Sequence, residues 1–415
     1  MPEDRPTPPS SVVVVGAGLA GAATVAALRA EGFAGRLTVL GAEGLAPYDR
    51  PPLSKQLLSR TEPLWLADDL GLPLAADDIR LAEPATGFEV SPDGVRVDTA
   101  DDTVPADAAV LATGAHAALP AALAGARTLH TATDAGALRA ALRPGARLVV
   151  VGAGWIGAEV AGVAAAARVD VTVVEAGPAP LAGALGPAVG ALTAPWYAAA
   201  GVRLVTGAQV TGTSADGVRL ASGEELPADV VLVAVGARPS SAWLAGALPL
   251  AADGSVEVDG AYRVPGQPRV VAVGDLARRR SPRHGWVPGG HWDGALRGPA
   301  IAVRALLGLP VDGPEHDVAP YVFSTQLGHE LALVGLPGPG DDVVLRGTPS
   351  EATAGGFAVA WLRPGTDELT AFLAVDRPRD VSAARRLFTG PTLPRTDPVV
   401  LADPAAPLKA ALLSA

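Results

Sequence analysis

The chain has 415 residues, enough for two or three domains, and a net charge of −11. It contains no cysteine, which excludes disulfides, thiolate zinc sites and protein-bound iron–sulfur clusters, and its six histidines show no metal-ligand pairing. The negative charge disfavours a nucleic-acid or anionic-membrane partner. No apolar run reaches the roughly 18 residues of a membrane span, and residues 1–10 lack the pattern of a secretory signal. We therefore expect a cytoplasmic protein, monomeric or homodimeric, with a frayed amino-terminal tail.

The chain contains two copies of a strand–turn–helix–strand pattern, 136 residues apart from Gly16 to Gly152. Each turn has three glycines in a Gly-x-Gly-x-x-Gly arrangement, and each follows branched aliphatic residues and precedes a helical pattern. The elements predicted for the first copy are a strand at 12–15, a helix at 19–30 and a strand at 37–40. Those predicted for the second copy are a strand at 148–151, a helix from 156 to about 167 and a strand at 171–174.

The glycine pattern predicts two dinucleotide sites. The first glycine forms the tight turn, the second lets the backbone approach a pyrophosphate, and the third lets helix and strand pack closely. In a chain with 49 glycines the pattern arises by chance about 0.7 times, so the context decides. Each copy has an acid near the expected spacing, Glu43 in the first and Glu175 in the second. The alternative is two glycine-rich turns that bind no ligand.

Glu175 favours NADH over NADPH. A carboxylate at the end of the second strand of this unit accepts hydrogen bonds from the ribose hydroxyls of NADH and repels the additional phosphate of NADPH. The residues that follow, 176–181, contain no arginine that could bind that phosphate.

The remaining segments predict the order of the domains. One apolar run ends at Thr113-Gly114. A second, at 231–235, ends before Gly236, and a third, at 270–273, leads into Gly274-Asp275. We therefore expect an α/β fold of two Rossmann-like dinucleotide-binding domains, the second inserted in the first, followed by a C-terminal α+β domain. This last domain is predicted from short alternating segments at 331–334, 357–362 and 369–375 and a helix at 381–388. The predicted boundaries are 1–114 and 237–317, 115–236, and 318–415.

The octapeptide Tyr48-Asp49-Arg50-Pro51-Pro52-Leu53-Ser54-Lys55 resembles the FAD-dependent ferredoxin reductases that serve oxygenases, a group that includes the putidaredoxin, rubredoxin and biphenyl-dioxygenase ferredoxin reductases. The resemblance covers nearly the whole chain, including the segment Pro320 to Gln326. It implies a glutathione-reductase-like fold that binds FAD and NADH, and electron transfer to a small iron–sulfur ferredoxin. It further implies that Lys55 lies near the flavin N5, where a cation stabilises the charge of the reduced flavin, and pairs with Glu159 beside the nicotinamide.

The resemblance and the glycine turns together give two sets of expected cofactor residues. The FAD set is Gly16, Gly18, Leu19, Ala20, Gly21, Glu43, Arg50, Lys55, Thr113, Gly114, His130, Gly274, Asp275 and Trp292. The NAD set is Gly152, Gly154, Trp155, Ile156, Gly157, Glu159, Glu175 and Gly236. No metal ligands are expected.

Four positions depart from the family pattern. His130 stands where an arginine is usual, Gly290 and Gly294 stand where glutamate and asparagine are usual, and Phe323 replaces an aromatic that is often tryptophan. These departures predict a weaker or reshaped FAD site.

Several functions remain open at this point. The absence of cysteine excludes the disulfide-reducing and peroxide-reducing relatives of this fold, which carry a redox cysteine beside the flavin. The alternatives are an NADH oxidase or diaphorase without a ferredoxin, a redox-sensing flavoprotein resembling apoptosis-inducing factor, and a decayed homologue. Because ferredoxins of this kind are generally acidic, a basic docking face is expected. Its candidate residues are Arg278, Arg279, Arg280, Arg283, Arg385 and Arg386.

Overall fold

The computed structural model describes residues 8–214, 216–349 and 356–413. The predicted frayed tail falls mainly on residues 1–7, which lie outside the described residues.

The first glycine turn belongs to a six-stranded sheet whose strands are parallel apart from one edge pair. The apolar strand Ser11–Val15 lies inside it, paired on both sides, because its four valines are all buried. The helix Leu19–Ala30 follows the turn, as predicted, and packs against the long helix Trp292–Leu306. The strand order is Arg263–Val264, Gln267–Ala272, Ala108–Leu111, Ser11–Val15, Arg36–Leu40 and Asp78–Arg80.

The second glycine turn belongs to a four-stranded parallel sheet of the same construction. Its strand order is Arg203–Thr206, Asp170–Glu175, Arg147–Val151 and Val230–Val233. The helix Trp155–Ala166 begins and ends one residue before the predicted helix, and the strand predicted at 231–235 ends at Val233.

The second sheet is inserted between strands of the first. The chain leaves the first sheet after Ala108–Leu111 and returns to it at Gln267–Ala272, which pairs in parallel with that same strand. The outgoing and returning segments, Ala115–Ala117 and Ala237–Pro239, pair with each other as a two-stranded antiparallel link. The predicted fold class, with one dinucleotide-binding unit inserted in another, is therefore confirmed.

The C-terminal part is a five-stranded antiparallel sheet, ordered Tyr321–Gln326, His329–Gly335, Leu369–Val375, Phe357–Leu362 and Asp342–Arg346. The three predicted strands are present, and the predicted helix spans Pro378–Leu387. Sequence analysis missed the two edge strands, because each turns polar side chains inward. Ser324 and Gln326 are buried in one edge strand and Arg346 in the other, while Phe323 and Val343 are exposed.

Smaller elements connect these three sheets. Three-stranded sheets are formed by Gly87–Ser91, Gly94–Asp98 and Thr103–Ala106, by Val210–Ser214, Gly217–Leu220 and Glu225–Pro227, and by Val256–Val258, Ala277–Ser281 and Gly285–Val287. Tyr48–Asp49 pairs with Leu64–Trp65. The remaining α-helices are Pro52–Lys55, Leu66–Asp69, Ala132–Ala141, Ala182–Leu185, Pro187–Gly190, Ala194–Ala199 and Pro398–Ala402. In the part of the chain that the structure describes, no helix is both long and apolar enough to cross a membrane.

Candidate functional site

A cavity of about 660 Å³ opens at the carboxyl ends of the parallel strands of the first sheet. Open α/β sheets bind ligands at this edge, and the volume lies within the range of about 300–1,000 Å³ that is usual for ligand sites. The predicted FAD residues that line it are Gly16, Gly18, Leu19, Ala20, Glu43, Arg50, Lys55, Thr113, Gly114, His130, Gly274, Asp275 and Trp292. Gly21 is the member of the set that does not line it.

The three glycines of the first turn have different surroundings. Gly16 has a φ of +119°, and a Cβ on it would lie 2.1 Å from the carbonyl oxygen of Ala112. A Cβ on Gly21 would lie 1.9 Å from the carbonyl oxygen of Gly16. At Gly18, by contrast, a Cβ would meet nothing within 4 Å. The fold therefore requires the first and third glycines, while the second leaves open space on the cavity wall.

The second turn repeats this geometry. A Cβ on Gly152 would lie 2.5 Å from the carbonyl oxygen of Ala234, and one on Gly157 would lie 2.1 Å from that of Gly152. A Cβ on Gly154 would meet nothing within 4 Å. Gly18 and Gly154 are also the N-caps of their helices and supply no side-chain cap, so the first N–H groups of both helices can bind an anion.

Glu43 is held at the end of the cavity beside the first turn. The Tyr48 hydroxyl donates a hydrogen bond of 2.5 Å to its carboxylate, and Arg50 forms an ion pair with it. Arg50 also donates to the backbone oxygen of His130 at 2.6 Å. Burial raises the pKa of Tyr48 to about 12, so its hydroxyl stays protonated and remains a donor.

Lys55 and Glu159 form an ion pair on the cavity wall, as the resemblance implied. Lys55 lies at the end of the short helix Pro52–Lys55, and Glu159 lies on the helix that follows the second glycine turn. The Glu159 carboxylate is 4% exposed, and Ser54 and Ser324 each donate a hydrogen bond of 2.5 Å to it. An ionised carboxylate tolerates such burial when it is paired and hydrogen-bonded, as Glu159 is.

Aromatic side chains form the wall next to this pair. The Phe323 ring lies 5.1 Å from the Lys55 ammonium and packs edge to face with Trp292 at 6.1 Å. The indole N–H of Trp292 donates to Asp49 at 2.7 Å. Phe323 is 36% exposed and is one of the large apolar side chains that face the open cavity.

The departures from the family pattern alter charge and space in the cavity. Burial, and then the nearby Arg50, lowers the pKa of His130, so a neutral imidazole stands where an arginine is usual. A Cβ on Gly290 would meet nothing within 4 Å, and Gly294 has only the Cβ of His291 nearby, at 3.7 Å. The residues present nevertheless fit a dinucleotide cofactor, because the backbone surface at Gly18 is open and Asp275 lines the same cavity after the strand Gln267–Ala272, the next but one to Ser11–Val15 in the sheet.

The predicted NAD residues divide into two groups. Trp155, Ile156 and Glu159 line the same cavity as the predicted FAD residues. The others, Gly152, Gly154, Gly157, Glu175 and Gly236, lie outside it. The Glu175 carboxylate lies at the second turn, where it accepts hydrogen bonds of 2.7 Å from the backbone N–H groups of Ala153 and Gly177.

The predicted docking patch at 278–283 is wrong for two of its members. Arg279 and Arg283 are only 4% and 7% exposed, and both form ion pairs with Asp317. Four arginines close together in sequence look like a surface patch, but Arg279 lies on the strand Ala277–Ser281, and these two side chains bond to Asp317 and to backbone oxygens of the C-terminal part. Arg385 and Arg386 are exposed, and the Arg385 guanidinium lies 4.4 Å from the ring of Tyr321, a cavity residue.

Sequence reasoning also missed contributors to the site. Tyr48 and Ser54 lie within the octapeptide and Ser324 within the segment Pro320 to Gln326, so both motifs carried a signal. Their hydrogen bonds to Glu43 and Glu159 span up to 165 residues and depend on the tertiary fold.

Comparisons with known proteins cover almost the whole chain. The family model for pyridine nucleotide-disulphide oxidoreductases matches residues 10–294, and the reductase C-terminal model matches residues 321–412. The biphenyl dioxygenase system ferredoxin–NAD(+) reductase component of Paraburkholderia xenovorans is 34% identical over 388 residues, covering 91% of this chain and 92% of its own. Putidaredoxin reductase of Pseudomonas putida is 32% identical over 424 residues, covering 98% of this chain and 97% of its own.

Solved structures of ferredoxin reductases resemble this chain over almost its whole length. A chain from the covalent putidaredoxin reductase–putidaredoxin complex has a TM-score of 0.86 at 30% identity, over 96% of this chain and 97% of that one. The ferredoxin reductase for the CYP199A2 system from Rhodopseudomonas palustris also has a TM-score of 0.86, at 28% identity, over 97% of this chain and 100% of that one. The chain therefore belongs to the pyridine nucleotide-disulphide oxidoreductase family and, within it, to the ferredoxin reductases of oxygenase systems.

Proposed function

We propose that this chain is an FAD-dependent oxidoreductase that passes electrons from NADH to a small iron–sulfur ferredoxin, which in turn supplies an oxygenase. The observation that carries the proposal is a single cavity lined both by the first glycine turn and by Trp155, Ile156 and Glu159 of the helix after the second turn, with the Lys55–Glu159 pair on its wall. The relatives named for dioxygenase and putidaredoxin systems support the same reaction.

FAD, when bound, accepts a hydride from NADH and releases the electrons one at a time. The chain's own contribution is binding and orientation. The open backbone at Gly18 and the carboxylates of Glu43 and Asp275 would hold the dinucleotide, and the Lys55 ammonium places a positive charge at the cavity wall. Orientation of donor and acceptor supplies much of the rate acceleration in such reactions. Since the chain has no cysteine, the electrons leave for an external acceptor and not for a protein disulfide.

The two cofactor sets predicted from the sequence are retained here as proposed FAD and NAD residues, with Lys55 and Glu159 as the pair between them. The domain boundaries are likewise proposed at 1–114 with 237–317, 115–236, and 318–415. The antiparallel link between Ala115–Ala117 and Ala237–Pro239 supports the two inner boundaries. A cytoplasmic location and a monomeric or homodimeric state are also proposed. Cell fractionation tests the location, and light scattering tests the oligomeric state.

The ferredoxin is proposed to dock beside the aromatic edge of the cavity. Two exposed cations lie near this edge, because Arg385 lies over Tyr321, and Arg297, with a side chain 50% exposed, is on the neighbouring helix. Both pair with the one carboxylate of Asp293, so the cluster keeps an excess of positive charge. Reversing the charge with Arg385→Glu should lower ferredoxin reduction about tenfold relative to dye reduction at low salt. Arg219→Glu, which changes an exposed and likewise ion-paired arginine of the inserted unit, is the matched control. Equal ratios for the two variants would reject this docking surface.

The function itself is tested with purified protein, NADH and a panel of [2Fe–2S] ferredoxins that includes putidaredoxin. NADH oxidation that depends on ferredoxin supports the proposal. NADH oxidation with oxygen, quinones or dyes, but with none of the ferredoxins, would instead identify an oxidase or diaphorase. Slow flavin reduction with a long-lived complex of reduced flavin and NAD would favour a redox sensor. A colourless preparation that FAD cannot reconstitute would identify a decayed homologue and end the enzyme account.

A further inference from the structure

The carboxylate of Glu159 joins three parts of the fold. It lies on the helix Trp155–Ala166 of the inserted unit. Lys55 reaches it from the helix Pro52–Lys55 of the first unit. Ser324 reaches it from the edge strand Tyr321–Gln326 of the C-terminal sheet, across 165 residues of sequence.

The contact between Glu159 and the C-terminal sheet is buried, and the side chains that form it are hydrogen-bonded to one another. Ser324 and Gln326 are each 1% exposed, on the face of the strand that points inward. The Gln326 amide donates a hydrogen bond of 3.0 Å to the Ser324 hydroxyl, which therefore directs its own proton to Glu159, at 2.5 Å. Burying two polar side chains costs free energy unless each is hydrogen-bonded, and here the bonds form a chain that ends on the carboxylate.

A glycine allows this close approach. Gly162 lies three residues after Glu159, on the same face of the helix. A Cβ on Gly162 would lie 2.9 Å from the backbone nitrogen of Leu327, which follows the edge strand. A larger residue would push the helix away from the strand and lengthen the bond from Ser324.

Ser324 does not line the cavity, whereas Glu159 and Lys55 do. The side-chain hydrogen bond from Ser324 reaches the cavity through Glu159. The Lys55 ammonium is held between the Glu159 carboxylate and the Phe323 ring, so a change in the carboxylate's orientation moves the charge that faces the cavity.

We propose that Ser324 is a positioning residue for the hydride-transfer site: its hydroxyl, oriented by Gln326, holds Glu159 so that the Lys55 ammonium stays on the cavity wall. The inference rests on the proposed function. It gives the C-terminal sheet a second contribution to this site, in addition to Phe323 on the cavity wall.

The test compares Ser324→Ala with Thr325→Ala in the FAD-loaded protein. Thr325 is the neighbouring hydroxyl on the same strand, on its exposed face, and is the matched control. Flavin reduction by NADH is followed by anaerobic rapid mixing. Because a hydrogen bond to a charged group is lost, the limiting rate of Ser324→Ala should fall about tenfold while the half-saturating NADH concentration changes less than about twofold. Thr325→Ala should match the wild type.

A double-mutant cycle separates positioning from general structure. In a Glu159→Ala background the Ser324→Ala change should have no further effect on the rate, because the group through which it acts is gone. If Ser324→Ala does not fold, Gln326→Met removes the donor that orients Ser324, and its effect should also vanish in the Glu159→Ala background.

Three outcomes are distinct. Wild-type rates in Ser324→Ala, or an equal loss with and without Glu159, would overturn the positioning role. A wild-type protein that binds FAD but is not reduced by NADH would instead overturn the proposed function.

Discussion

In the second glycine turn, alanine at Gly154 should change ligand binding but not the fold, whereas alanine at Gly157 should disturb the fold. Gly154 has φ −79° and ψ −169°, a conformation open to alanine, and a Cβ there meets nothing within 4 Å. Gly154→Ala should therefore cost the fold less than about 1 kcal/mol, the difference between glycine and alanine at an N-cap. Its methyl group would project from the turn into the space where a pyrophosphate would lie.

Gly157 is the opposite case. Its Cβ would lie 2.1 Å from the carbonyl oxygen of Gly152, when ordinary contacts begin near 3.4 Å, so the helix must move by more than about 1 Å. Overpacking of this size costs about 3 kcal/mol, which corresponds to a fall in Tm of about 3–4 °C when the whole chain unfolds together.

The assay measures the NADH concentration that half-saturates flavin reduction, together with Tm. Gly154→Ala should raise this concentration at least about tenfold, a loss of about 1.4 kcal/mol of binding, with Tm nearly unchanged. Gly18→Ala is the matched control in the first turn, because its Cβ is equally unobstructed but should weaken retention of FAD and not binding of NADH. An unchanged NADH requirement in Gly154→Ala would refute the assignment of the second turn to NADH.

Three further predictions follow from charged or titrating groups. Lys55→Met leaves the Glu159 carboxylate, which is 4% exposed, without its counter-ion, so thermal unfolding should show that the free energy of unfolding falls by about 3 kcal/mol. The double variant Lys55→Met with Glu159→Gln should largely restore this stability, and equal stability of the single and double variants would contradict the prediction. Glu175→Ala removes the carboxylate that we propose repels the 2′-phosphate of NADPH, so the ratio of kcat/KM for NADPH to that for NADH should rise at least about tenfold. An unchanged ratio in steady-state assays would show that Glu175 does not select NADH. Burial, and then the neighbouring Arg283, lowers the pKa of His284 from 6.5 to about 4. Below pH 6.5 the unfolded chain therefore binds a proton at His284 that the folded protein does not bind, and the free energy of unfolding falls as the pH drops toward 4. Between pH 7 and pH 5 this loss is about 2 kcal/mol, which His284→Phe should remove in urea unfolding; the same pH dependence in wild type and variant would exclude His284 as its source.

Much of the fold could be predicted because strands buried on both faces and glycine turns leave strong local signals. The strand Ser11–Val15 is almost entirely valine, and the helix Leu19–Ala30 agrees with its predicted bounds. The insertion could be predicted because two glycine turns and their strand exits repeat in order. The small three-stranded sheets were missed, since their short strands mix polar and apolar residues without a sustained period.

Site residues were predictable where a motif named them and unpredictable where only the tertiary fold joined them. Lys55 and Glu159 could be paired through the resemblance, whereas the patch at Arg279 and Arg283 was misjudged. Charge density along a sequence does not reveal that Asp317, more than 30 residues away, pairs with both of these buried guanidinium groups.

The edge strand Tyr321–Gln326 was not predicted for the same reason that it contributes to the site, namely its inverted pattern of side chains. Tyr321–Gln326 breaks the expected alternation because Phe323 faces the open cavity and Ser324 and Gln326 face the interior. In an ordinary half-buried strand the pattern would be reversed, with the aromatic side chain inside and the hydroxyl outside. The inverted pattern is tolerated because Glu159 accepts the serine's hydrogen bond and because the cavity wall needs an aromatic surface beside Lys55. Sequences tend to violate local rules at functional sites, so the segment that pattern analysis overlooked is the one that connects the C-terminal sheet to the proposed reaction.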